Sequence, residues 1–155
     1  MAQFLLITTL LTIAGLIATG VMGFLASPLH AAQHILFALG TVLLGLFSQS
    51  MTMFFFIGTG KEIKEKAKGS EDEAAVVQKT RSFKSKVFPA AMWAIAAIMV
   101  TFITGGGVPS GKTPPLIHAA LALTTLYTCL RAYWIQLQAM EENARLMEKY
   151  LAEPD

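Results

Sequence analysis

The chain has 155 residues, 54% of them hydrophobic and 14% charged, with a formal charge of +2. Soluble domains carry about a quarter charged residues, so this composition excludes an ordinary soluble globular domain and the small net charge gives no footing for nucleic acid. Its single cysteine, Cys129, excludes an internal disulfide and any multi-cysteine zinc or iron–sulfur centre.

From Gln3 to Leu25 the chain is uncharged and apolar. It lacks the basic start of a secretory leader, and its apolar run is longer than a leader's core. Residues 3–25 therefore read as a first membrane helix. Ala14, Gly15, Ala18, Gly20 and Gly23 mark a side along which another helix backbone comes close. Ser27-Pro28 reads as a tight turn that sends the chain back.

His30 to Gly58 contains no Asp, Glu, Lys or Arg. As a helix it would run roughly 43 Å at 1.5 Å per residue, more than a bilayer's hydrocarbon core of about 30 Å. Residues 30–58 are the second expected span. The stretch holds His30 and His34, one turn apart, and the polar patch Ser48-Gln49-Ser50. Polar groups in such a span must face protein, because an unpartnered one in hydrocarbon costs several kcal/mol. Met51 and Met53, among Phe54, Phe55 and Phe56, read as apolar filler rather than ligands.

Between Gly60 and Lys86 the chain turns basic, with eight of its twelve Lys and Arg residues. The positive-inside rule makes this connection, and hence both termini, cytoplasmic. Ser70-x-x-Glu73 after Gly69 is a capping-box pattern. It predicts that helix 2 ends near Lys68, with a possible break at Gly58/Gly60, and that helix 3 starts near Glu71, so 60–86 forms a helical hairpin. Val76, Thr80, Phe83 and Val87 repeat at three- and four-residue steps along it.

A third span is expected at 87–104, kinked at Pro89. Gly105-Gly106-Gly107 opens an outer loop and is followed by Pro109 rather than a helix with Lys-Ser/Thr, so it is no nucleotide loop. A fourth span is expected at 115–136, ending among Arg131, Tyr133 and Trp134, which suit an interface. Arg131 there would anchor the helix or meet an acidic lipid. Residues 137–152 read as an amphipathic extension whose seam is Leu137, Met140, Ala144, Met147 and Leu151, packed on the hairpin. The expected fold is a single domain, 1–155: an all-α integral membrane protein, a four-transmembrane-helix bundle with a cytoplasmic hairpin and a helix 4 extension. Without an internal repeat or a charged residue in mid-span, a transporter or channel is disfavoured.

In this topology His30, His34 and His118 fall in one layer at the outer ends of two parallel helices. Each helix carries a stripe of small or weakly polar residues below its histidine: Ala38, Thr41, Gly45, Ser48 and Thr52 under His34, and Ala122, Thr125, Cys129 and Ala132 under His118. Three chemical uses fit. Haem b would take two imidazoles, His118 with His34 or His30, from facing helices. A metal such as copper, zinc or iron would take all three. A quinone or lipid-like ligand would hydrogen-bond one of them. The bland alternative is that these are interface histidines of a non-catalytic structural or assembly subunit. No acid–base pair, nucleophile–His–acid set or other catalytic set is read from the sequence. The expected partners are the bilayer, other membrane subunits or a second copy in a homo-oligomer, and a quinone if the site is redox-active.

Overall fold

The computed structural model describes residues 2–25 and 30–151, and it is all-helical. Its elements are α1 (Ala2–Phe24), α2 (Ala31–Lys66), α3 (Glu73–Gly106) and α4 (Pro115–Leu151). The expected Ser27-Pro28 turn and the last residue of the extension, Ala152, lie outside the described residues.

Three helices, α1, α2 and α3, are long and apolar enough to cross a membrane. α4 is not, which departs from the expected four spans. Its uncharged segment Pro115–Leu130 is diluted by His118, Thr124, Thr125, Tyr127 and Thr128 and is then cut short by Arg131. The outer surface of the spans carries Phe4, Leu10, Val21, Leu43, Phe54 and Ile103, all exposed. Such a surface is consistent with contact with lipid.

Among the described residues, α1 packs on α2 and α4, α3 packs on α2 and α4, and α2 meets α4, while the α1 and α3 backbones do not approach each other closely. The four helices thus form a four-cornered bundle with α2 and α4 on the short diagonal. These two run parallel, since His34 meets His118, Gln49 meets Gln136 and Thr59 meets Asn143 in the same order along both. The small-residue stripes explain the close diagonal. Thr41, Gly45, Ser48 and Thr52 of α2 and Thr125, Cys129 and Ala132 of α4 are all buried. Small side chains let helix axes approach where no hydrophobic force acts between them.

Beyond Phe55 and Phe56 the bundle becomes a stem of α2, α3 and α4. The hairpin seam is as the spacing predicts, with Val76, Thr80, Phe83 and Val87 buried. Ile63, Ala67 and Val76 form a small core, covered by Leu146, Met147, Tyr150 and Leu151. The α4 seam is turned part-way from the one expected. Met140, Met147 and Leu151 pack on the stem cores as the spacing predicts, but Gln136, Ala139 and Asn143 are the buried positions, whereas Leu137 and Ala144 are exposed. One residue of offset turns a helix by about 100°. The polar Gln136 and Asn143 take the inward positions because each finds a partner on α2, which an apolar seam would leave unpaired.

The turn between α2 and α3 also differs from the capping box. Ser70 Oγ donates back to the Ala67 carbonyl at 2.7 Å, and the Glu73 carboxylate accepts from the Gly69 N–H at 2.8 Å. Gly69, at φ +80°, provides the left-handed residue that closes α2. α2 ends at Lys66 and α3 starts at Glu73, so the hairpin turn is a few residues wider than read from the sequence. α2 passes Gly58 and Gly60 without a break, and Gly60 lies against Thr80 and Lys84 of α3.

Candidate functional site

The outer ends of α2 and α4 hold the histidine pair. His34 is one turn into α2 and His118 one turn into α4, where the Pro114 carbonyl accepts from the N–H groups of Ile117 and His118. Their rings meet edge to face, with centroids 6.5 Å apart and planes at 75°. Both imidazoles are half-buried, and Nδ1 of each is buried without a hydrogen-bond partner. The Thr101 carbonyl of α3 approaches the His118 ring as a hydrogen-bond acceptor.

Two glycines seat the rings. A methyl group at Gly105 of α3 would lie 2.7 Å from His118 Cε1, and one at Gly23 of α1 would lie 3.2 Å from His34 Cε1. All four helices therefore converge on the pair: two supply imidazoles and two supply the glycine surfaces against which they rest. In the sequence Gly23 reads as a packing residue and Gly105 as loop. Their role emerges only when the helix ends are brought level.

His30 is exposed at the cap position before α2. Among the described residues no group of three or more His, Cys, Asp or Glu side chains is placed to hold a metal ion. The structure brings His34 and His118 together and does not gather a three-imidazole centre. No family model, curated protein or solved structure matches the chain. The site has to be read from its own geometry.

Below the pair the diagonal is lined with hydroxyls. Thr19 and Thr41 stand 3.2 Å apart on one side, and Thr101 and Thr125 are 2.7 Å apart on the other. Next comes a fully enclosed polar layer that sequence reasoning reached only through Ser48 and Gln49. Gln136 Nε2 donates to Gln49 Oε1 at 2.6 Å, with both residues buried. The Tyr133 hydroxyl faces Thr12, Ser48 and Gln49 without completing a well-formed hydrogen bond. Gln49 Nε2 and Gln136 Oε1 also lack partners. A third tier, at the start of the stem, pairs Asn143 Nδ2 as donor with Thr59 Oγ1 at 3.2 Å.

Proposed function

We propose that this chain is a small membrane subunit that holds a redox-active group between His34 and His118 and carries electrons at the outer face of its bundle. In this reading α4 crosses the bilayer beside α1, α2 and α3, which supply the apolar surroundings its own threonines lack. The basic hairpin keeps the stem and both termini in the cytoplasm.

The observation that carries the reading is the spacing of the two rings. A metal bonded at about 2.0 Å by one nitrogen from each of two opposed imidazoles sets the ring centroids roughly 6 Å apart, once the ring radius is added on each side. The pair stands at 6.5 Å. The 75° between the two ring planes would not keep His34 and His118 from holding the group together. The unpartnered Nδ1 atoms would be the ones to hold the group, and a hydrogen bond from a ligand imidazole to a backbone carbonyl, such as that of Thr101 with His118, is the usual way its orientation is held.

Two imidazoles favour haem b over a bare ion. Haem brings four equatorial nitrogens of its own, whereas a zinc or copper ion wants three or four protein donors. Held between His34 and His118, such a group would supply one-electron chemistry within reach of a partner or a quinone at the outer interface. With no histidine on the inner side, the chain has no second imidazole pair to carry electrons across.

The test is an absorption spectrum of the detergent-purified protein, oxidised and then reduced with dithionite, with metal analysis of the same sample. A sharp reduced α-band that vanishes in His34→Ala and His118→Ala, and persists in His30→Ala, is expected. A featureless spectrum without stoichiometric metal, from cells supplied with haem, overturns the reading. The pair is then a packing contact in a structural subunit of a membrane complex.

A further inference from the structure

Where α3 and α4 leave the apolar zone, a groove of about 390 Å³ opens between them, lined by Phe83, Lys86, Ile135, Gln138, Ala139 and Glu142. Lys86 is the last charged residue of α3 before the uncharged run from Val87 to Gly106. That fixes the groove at headgroup depth whether or not the histidine pair binds anything. Both tryptophans of the chain lie close by in sequence, Trp93 at 72% exposure and Trp134 at 65%. Exposed indole rings at the edge of an apolar zone are the usual signature of a membrane interface.

The charges of the groove are unequal. Its one carboxylate, Glu142, is engaged by Lys79 at 2.5 Å. Lys86 and Arg145 also act on Glu142, and Arg145 is itself bonded to Glu141. Among the described residues Lys86 forms no ion pair of its own. Arg131, exposed and one turn nearer the bilayer, shares the α4 face of Ile135, Gln138 and Glu142. An arginine side chain is long enough to reach the headgroups from there and keep its charge in water. An apolar floor of Phe83 and Ala139 with Lys86 at its wall, and Arg131 beyond its rim on the same α4 face, matches a ligand with a hydrocarbon body and an anionic head.

We propose that this groove is a binding site for one anionic phospholipid, with the phosphate between Lys86 and Arg131, the head alcohol over Gln138, and the acyl chains along the lipid-facing sides of α3 and α4. The charge complementarity is with the lipid headgroup because the cations sit where the apolar surface begins. A soluble anion would leave that surface uncovered.

The full-length protein in phosphatidylcholine vesicles with a minor share of brominated phosphatidylglycerol tests this, because bromine quenches Trp93 and Trp134 on contact. Preference over brominated phosphatidylcholine gives the relative affinity. Each juxtamembrane cation contributes about fivefold, so Lys86→Gln lowers the preference by about that factor and Lys86→Arg restores it. Lys61→Gln, which removes a charge from an exposed α2 pair with Glu65 on the same side, leaves it unchanged. A wild-type preference near one overturns the proposal. So does an equal loss in Lys61→Gln and Lys86→Gln, which would mean that the basic surface as a whole, and no groove, attracts the lipid.

Discussion

The side-chain amides of Gln49 and Gln136 meet at 2.6 Å in the middle of the bundle, on two helices that are 87 residues apart in sequence. The contact joins the α2–α4 diagonal where both residues are fully enclosed, each amide keeps one unpaired polar atom, and the Tyr133 hydroxyl lies beside Gln49. A bond between two neutral side chains in a membrane bundle contributes about 0.6 kcal/mol on average. Leaving one of them alone costs the desolvation of a buried amide, about 1–3 kcal/mol. Gln49→Leu and Gln136→Leu should each destabilise the protein by about 1–3 kcal/mol. The double variant should lose less than the sum of the two, read as a coupling energy from reversible unfolding in mixed micelles. Additive losses would show that the pair does not act as a unit.

The glycine seats of the histidines predict a contrast among glycine-to-alanine changes. Gly105→Ala would set a methyl 2.7 Å from His118 Cε1, inside any ordinary contact, so the ring must move. At Gly20 and Gly40 a methyl would meet nothing within 4 Å. Those two changes should be neutral or stabilise by up to about 1 kcal/mol, through helix propensity alone. Gly105→Ala should shift the His118 imidazole resonances, and any absorption band that depends on the ring, with Gly20→Ala as the unaffected control.

The rotated α4 seam is testable by truncation of side chains in the stem. Ile63 is fully buried against Ala67 and Val76, and Ile63→Ala should cost about 2–4 kcal/mol. Ala144 belongs to the expected seam yet faces out, so Ala144→Ser should stay within about 0.5 kcal/mol. Hydrogen exchange of stem amides would report both.

Acid should loosen the tip of the stem. Lys149 Nζ donates to Asp72 Oδ2 at 2.6 Å and the Tyr150 hydroxyl donates to the same oxygen at 3.2 Å. These bonds, that of Lys149 first, hold the Asp72 carboxyl below the usual carboxylate range, and the Lys79 contact does the same for Glu142. A depressed carboxyl stabilises the fold above its unfolded pKa, about 4 for Asp or Glu, and that contribution is lost as pH falls through the lower folded value. Lys149 is raised by the same partner, so its share is present below the ordinary lysine pKa of about 10.4 and fades only above it. Protection factors at the α2–α3 turn and the end of α4, taken relative to intrinsic exchange at each pH, should be flat between pH 5 and 9 and should fall below about pH 4 in the wild type. In Asp72→Asn the acid-dependent step should shrink.

Four helices, the apolar character of three of them, and the inward stripes from Thr41 to Thr52, from Val76 to Val87 and from Thr125 to Ala132 were legible in the sequence. Each depends only on local composition and the 3.6-residue repeat, which assign a face to every residue of a helix without reference to its neighbours. The positions of Gly69 and Pro115 likewise marked helix ends, since a left-handed turn and a missing N–H act within a few residues.

Only the tertiary structure decided how those faces are turned towards one another. It placed Gln136 and Asn143, rather than Leu137 and Ala144, on the α4 seam, left His30 outside the pair formed by His34 and His118, and set Gly23 and Gly105 beneath the rings. Periodicity fixes a helix's own faces but not its rotation against a distant partner. In an apolar bundle that rotation is chosen by which buried polar groups find each other and by where small residues let the helices close.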